Sequence, residues 1–282
     1  MPQLSEEGDK DERGRVLIVG GAREMPGALI LAATAALRAG AGKLQIATCG
    51  SIVPIVAAAV PESRVFTLGE TKAGAIAASA AKKVAELANR TQALLIGPGM
   101  IDEKSVERLL KNILPRIEDA TMVLDAAALS CFSGAPECLR EFKGNAVITP
   151  HAKEMAAMLD IDIEEVERKP LETARRAARQ LGVVVALKGR ETFIVAPDGE
   201  AYANRAGNVG LATSGSGDVL AGVIAGLAAR GAKPLQAAAW GVSLHARAGD
   251  RLAKRIGPLG FLAREIPDEL PALLRELDAS EE

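Results

Sequence analysis

The chain has 282 residues, with 34 Lys+Arg against 36 Asp+Glu for a formal net charge of −2. With 49% hydrophobic residues this is the composition of one or two globular domains, without a basic face for nucleic acid or an anionic membrane surface. Seven aromatic residues (one Trp, one Tyr, five Phe) are too few for base-stacking platforms, and three cysteines (Cys49, Cys131, Cys138) with two histidines show neither disulfide nor metal spacing.

In chain order, MPQLSEEGDKDERGR is charged and lacks the apolar stretch of a signal peptide. Residues 1–14 therefore read as a flexible tail and the chain as cytoplasmic. The longest apolar run, 27–37, is stopped by Arg38, short of the roughly 18 residues that span a bilayer. From Val16 onward short apolar runs alternate with amphipathic stretches. The pattern predicts strands at 16–19, 44–47, 93–96, 122–124, 146–148 and 183–187, apolar on both faces. Helices are predicted between them at 27–39, 73–88, 103–114 and 171–181. Runs 192–196 and 200–204 flank Pro197-Asp198-Gly199 and predict an antiparallel hairpin. The remainder is helical, at 217–230 with Gly231 as its C-terminal cap, 234–255 and 261–277. This alternation implies a layered α/β fold with a mainly parallel sheet, and without repeats or linkers residues 15–282 read as a single domain.

The segment Gly207-Asn208-Val209-Gly210-Leu211-Ala212-Thr213-Ser214-Gly215-Ser216-Gly217-Asp218 leads straight into a helix. Such a loop leaves backbone N–H groups unpaired and converging, a preformed anion site. Asp218 in the first turn either complements the helix dipole or acts as a general base beside bound phosphate. Ala221, Gly222, Ala225 and Gly226 make the following helix small-sided, so that it can lie against a neighbouring backbone. Gly20-Gly21 and Gly97-Pro98-Gly99 are strand-end turns where glycine also admits ligand atoms close to the backbone. Lys188 is either a surface lysine or a ligand contact. His151 is either a helix-start residue or part of the sheet's C-terminal edge, where ligands of open α/β sheets collect. Asp125 caps the next helix or faces the phosphate site, and His245 reads as a packing or hydrogen-bonding residue.

Several segments along residues 15–275 resemble, in order, the NAD(P)H-hydrate dehydratase branch of the ribokinase-like fold. They are Gly20-Gly21 with Gly27-Ala28 and RAGAGKLQIAT, Gly97-Pro98-Gly99, Leu124-Asp125-Ala126, Ile148-Thr149-Pro150-His151 with Glu154, Leu187-Lys188-Gly189, GNVGLATSGSGDVLAGVIAGLAARG, and Leu244-His245-Ala246-Arg247-Ala248-Gly249-Asp250. The resemblance implies a three-layer α/β/α sandwich with a mainly parallel central sheet and a C-terminal helical segment. It also implies a carbon–oxygen lyase that uses ADP or ATP, with Mg²⁺, to dehydrate the S form of hydrated NADH or NADPH. The ring hydroxyl is phosphorylated and then leaves as phosphate, pushed out by the ring nitrogen. By the same resemblance Asp218 is the base and a substrate contact, and Gly215 and Gly217 present N–H groups to the transferring phosphoryl. Lys188, Gly189, Arg190, Glu191 and Thr192 bind the nucleotide; Ala28, Gly99 and His151 line the hydrated dinucleotide. No residue is implied as a metal ligand of its own. ADP as donor, a homotetramer and a separate epimerase partner are further implications; a first strand near residue 16 leaves no room for a fused epimerase.

The chain departs from the family's usual residues at Ala22, Met25, Pro26, Ile101, Ala127, Ser130 and Ala152-Lys153, mostly in the half that holds the substrate. A small-molecule kinase resembling hydroxyethylthiazole kinase, releasing a stable phosphorylated product, and a nucleotide binder without turnover are the alternatives.

Overall fold

The computed structural model describes residues 1, 10, 12–133, 139, 140, 142 and 144–278. Cys138 and most of the expected tail lie outside the described residues. Arg13 and Gly14 lie within them, and their carbonyls accept hydrogen bonds from the Gly42 N–H at 3.2 and 3.1 Å.

The buried apolar runs form one sheet. In chain order its strands are β1 (Arg15–Val19), β2 (Lys43–Cys49), β3 (Ser63–Leu68), β4 (Ala93–Ile96), β5 (Thr121–Leu124), β6 (Ala146–Ile148), β7 (Val184–Leu187), β8 (Thr192–Val195) and β9 (Ala201–Asn204). Their spatial order is β3-β2-β1-β4-β5-β6-β7-β8-β9. Neighbours from β3 through β7 pair in parallel, while β7–β8 and β8–β9 are antiparallel. Every residue of β4, β6 and β7 is buried, as strands covered on both faces must be. Between β1 and β2 runs α1 (Pro26–Arg38), which rests on both. On the other side of the fold are α3 (Ala81–Ala88) against β1, α4 (Glu103–Ile113) against α3, and α8 (Pro170–Leu181) against β7 and β8. After the hairpin come α9 (Ser216–Ala229), lying over β1, β4 and β5, and α10 (Pro234–Arg255), lying over β6 to β9, with α11 (Ile266–Asp278) packed on α10.

The expected strands at 93–96 and 146–148 and the helix at 234–255 have the predicted limits, and most other elements shift by a residue or two. Three expectations need correction. The helix expected from Ala73 begins as a 3₁₀ turn at Ala78–Ala80 and becomes α-helical at Ala81. Ahead of it the chain folds back through an isolated bridge between Glu70 and Ile76, with Gly74 at φ 83°, a left-handed conformation that an α-helix cannot contain. The helix expected over 261–277 is divided between a 3₁₀ turn at Ala263–Glu265 and α11, because the Glu265 carboxylate turns back to accept from the Leu262 N–H at 2.6 Å. Edge strand β3 was absent from the expectation: its SRVFTL sequence is half exposed and carries polar residues, so it lacks the run of apolar residues that marks a central strand. Helices α2 (Val53–Ala59), α5 (Ala127–Ser130), α6 (Ala152–Leu159) and α7 (Ile163–Arg168) are also additional to it. Each has eight residues or fewer, too short for a clear helical period.

Candidate active site

The carboxyl ends of β5, β6 and β7 deliver three motif residues to one place. Asp125 follows β5 and is almost fully buried, at 2% exposure. Its Oδ1 accepts from the Thr149 hydroxyl at 2.7 Å and from the Lys188 ammonium at 3.1 Å. Thr149 follows β6 and Lys188 follows β7, so the adjacent parallel strands set this spacing. The backbone N–H of Lys188 donates to the Pro150 carbonyl at 2.8 Å, tying the two strand ends together.

The glycine loop approaches from the opposite side. Of the fourteen residues of α9, all but Gly217 and Asp218 are buried, and these two lie in its first turn. A Cβ on Gly217 would stand 3.5 Å from Lys188 Nζ and 3.9 Å from Asp125 Oδ2. The first turn of α9 therefore stands beside an ammonium and a carboxylate. Gly215, at φ 88°, is the N-cap and has no side chain to cap the helix; the Ser216 N–H donates to the Thr213 carbonyl at 3.2 Å, and the Gly217 amide is left for a ligand. Burial, reinforced by the negative charge of Asp125, raises the Asp218 carboxyl to about 6 although Lys188 pulls the other way. Burial acts to lower the Lys188 ammonium, but Asp125, Glu154 and Asp218 outweigh it and the net shift is upward. Lys188 is thus a fixed cation, and the reading of it as a plain surface lysine is set aside.

His151 is the N-cap of α6: its Nδ1 accepts from the Glu154 N–H at 3.1 Å, and its own N–H donates to Glu154 Oε2 at 2.8 Å. It also bridges Lys188 in the sheet, so it caps a helix and borders the site at once. Ala28 and Gly99 meet each other a little further along the sheet edge, where a Cβ on Gly99 would lie 3.2 Å from that of Ala28. One turn on from Ala28, Leu31 lies 2.5 Å from the Cβ position of Gly215, so α1 also supports the glycine loop. A cavity of about 520 Å³, within the range of small-molecule sites, opens beside Lys188. Its wall includes Lys188, Gly189, Arg190 and Glu191 together with Val166, Pro170 and Phe193. Thr192, expected with them, begins β8 and pairs with Asn204. Glu191 is held by Arg205 at 3.0 Å.

Sequence reasoning missed the pinning of the loop. The Asp250 carboxylate on α10 accepts from the Gly207 N–H and from the Asn208 amide, each at 3.0 Å, and Asn208 Oδ1 accepts from Gly210 N at 3.0 Å. His245, one helical turn earlier, places Nε2 3.0 Å from both the hydroxyl and the carbonyl of Ser216. With a carbonyl as partner Nε2 carries the proton and donates. The motif LHARAGD carried both residues, but only the fold shows which loop they hold.

Comparisons with known proteins show the chain's family. The family model described as NAD(P)H-hydrate dehydratase matches residues 16–272. An ADP-dependent (S)-NAD(P)H-hydrate dehydratase of Xanthomonas campestris is 50% identical over 270 residues, 96% of this chain and 91% of that protein. A bifunctional NAD(P)H-hydrate repair enzyme of Moorella thermoacetica is 41% identical over 99% of this chain, which spans 52% of that longer protein. The crystal structure of the ADP/ATP-dependent NAD(P)H-hydrate dehydratase of Bacillus subtilis, co-crystallised with ATP/Mg²⁺, superposes with a TM-score of 0.85 at 32% identity, covering 98% of this chain and 94% of that one. With the ribokinase-like fold, the glycine loop and these relatives in agreement, the chain belongs to the NAD(P)H-hydrate dehydratase family.

Proposed function

We propose that the protein dehydrates the S form of hydrated NADH or NADPH with ADP or ATP as phosphoryl donor, restoring the nicotinamide. The observation that carries this reading is the meeting of a carboxyl raised to about 6, a fixed ammonium and open helix amides within the first turn of α9. A base with a pKa close to the working pH combines availability with proton affinity. Asp218 takes the proton of the ring hydroxyl as its oxygen bonds to the terminal phosphorus of the nucleotide and the bridging P–O bond breaks. The amides of Gly215 and Gly217 face the charge that develops on the phosphoryl oxygens, and Lys188 balances it without rearrangement. The ring nitrogen then expels phosphate from carbon, and loss of a proton from the neighbouring carbon restores the double bond. The products are NADH or NADPH, phosphate, and the nucleotide shortened by one phosphoryl group. The cavity walled by Lys188, Gly189, Arg190 and Glu191, with Thr192 behind it, takes the nucleotide; Ala28, Gly99 and His151 line the hydrated dinucleotide.

Among the described residues no group of three His, Cys, Asp or Glu side chains is arranged to hold a metal ion. Mg²⁺ would come on the nucleotide phosphates, where it would neutralise charge. The same reading includes a cytoplasmic homotetramer served by a separate epimerase. No described helix is long and apolar enough to cross a membrane. Light scattering on the purified chain tests the assembly.

Recovery of nicotinamide absorbance from purified hydrated NADH, with ADP and then ATP plus Mg²⁺, tests the activity and identifies the donor. Asp218→Asn is expected to lower kcat by a factor of about 10² to 10⁴, the range for a lost general base. Nucleotide binding by the wild type without recovery of absorbance would instead favour a kinase or a binder without turnover.

A further inference from the structure

Asp125 is the one strongly buried carboxylate in the site, and the chemistry proposed above leaves it without a task. Its surroundings are built with unusual care. The residue that follows it, Ala126, has φ 50° and ψ −129°, and the Ala128 N–H closes the turn on the Asp125 carbonyl at 3.2 Å. This is the first central position of a type II′ turn, which normally takes glycine. On the other side, Gly97 leaves room for the Asp125 carbonyl, which a Cβ at that position would strike. The Asp125 N–H bonds to the Ile96 carbonyl at 3.2 Å, and the Thr149 hydroxyl fixes the carboxylate. Backbone strain beside a buried, hydrogen-bonded charge persists where the surrounding structure over-determines it.

We propose that Asp125 is a positioning residue whose carboxylate, fixed by Thr149, holds the Lys188 ammonium beside Gly217 and Asp218 at the N-terminus of α9. This rests on the dehydratase reading for its purpose but not for its geometry. Without Asp125, the ammonium at the end of β7 has two other carboxylates within its influence, Glu154 on α6 and Asp218 on α9. Glu154 is engaged in capping His151, so Asp218 is the partner Lys188 would turn to. That ion pair would draw the base's lone pair into a contact with the ammonium, away from the substrate hydroxyl. Asp125 thus keeps Lys188 available for phosphate and Asp218 available for a proton. The remaining titratable group near Lys188 is His245 on α10, held neutral by its burial.

The test reads Asp218 directly. Its side-chain carboxyl carbon is followed by NMR against pH in the full chain without substrate, and the signal is assigned by its disappearance in Asp218→Asn. The wild-type midpoint is expected near 6. In Asp125→Asn it is expected to fall by about one pH unit or more, since a like charge is lost and an opposite one gained. Thr149→Val, nearly isosteric, removes the 2.7 Å bond to Asp125 and a longer one of 3.4 Å to the Leu124 carbonyl, and is expected to shift the midpoint the same way by less. It decides the question alone if the asparagine variant does not fold. An unchanged midpoint in the folded variants would overturn the proposal, since loss of packing alone does not move it. Where the wild type turns over hydrated NADH, kcat is expected to fall at least 10-fold in Asp125→Asn, with its acid limb displaced to lower pH. Absence of turnover in the wild type would count against the dehydratase reading and leave the carboxyl titration standing as its own answer.

Discussion

Asp218 costs the fold stability at neutral pH. A carboxyl near 3.8 in the unfolded chain and about 6 in the native one is ionised earlier when unfolded, so stability is lost as pH rises through that window. The cost at neutral pH is about 3 kcal/mol, since the gap between the two values counts for about 1.36 kcal/mol per pH unit. Asp218→Asn should therefore melt higher than the wild type at pH 7.5 and lose that advantage near pH 4, which calorimetry at the two pH values can check. His245 works in the other direction. Burial lowers its imidazole from 6.5 to about 4, so the unfolded chain takes up the proton first and stability falls as pH drops from about 6.5 towards 4. In the Asp218→Asn background, where the opposing slope is gone, acidification across that window should cost about 3 kcal/mol. A flat profile there would mean that His245 titrates normally. At this scale the sequence singled out residues that sit in contiguous motifs, Lys188, His151, Gly217 and Asp218 among them. It did not reveal that Asp125 and Lys188, 63 residues apart, are partners, or that Asp250 reaches Asn208 across 42. Long-range pairs are created by strand order and helix packing, which no local pattern encodes.

Among the elements, α9 has the least tolerance. A Cβ on Gly222 would strike the Ala32 carbonyl of α1, and one on Gly226 would lie 2.5 Å from the Ala36 carbonyl. The small-sided face read from Gly222 and Gly226 is thus a helix contact with α1. Gly222→Ala meets backbone rather than a flexible side chain, so it should destabilise by at least the 1 to 3 kcal/mol of about one overpacked methyl group. It should also lower kcat by moving the first turn of α9; chemical denaturation and turnover measure the two losses. The turn after β5 makes the opposite prediction. Ala126 occupies a conformation that costs an L-residue about 1 kcal/mol or more, and glycine adopts it freely. Ala126→Gly should therefore raise the melting temperature, reversing the usual sign of that substitution. Central strands and long helices were legible because their period or their unbroken apolar run is strong. Edge strand β3 and short helices α5, α6 and α7 were not, since caps and turns define them more than periodicity does.

Across the whole molecule, strand order explains why the site is where it is. All the parallel strands end on one edge, and β5, β6 and β7 bring Asp125, Thr149 and Lys188 there side by side. The hairpin of β8 and β9 then turns the chain back so that the glycine loop closes over the same edge. The alternation of apolar runs foretold the layers, but the order of strands came only with the structure. Because the glycine loop leads into a helix packed on the one sheet, nucleotide binding should stabilise that sheet and helix together: at 100 times Kd, ADP should add about 2.7 kcal/mol, visible as a rise in melting temperature. The near-complete burial of α9 has a consequence in time as well. A helix surrounded by protein releases its amide hydrogens to solvent only when the fold as a whole opens. The amides along the body of α9 should therefore be among the slowest in the chain to exchange for deuterium, while those of its first turn, open to the cleft, exchange early until a phosphate covers them. The boundary between fast and slow hydrogens would then fall within a single turn of helix, next to Asp218.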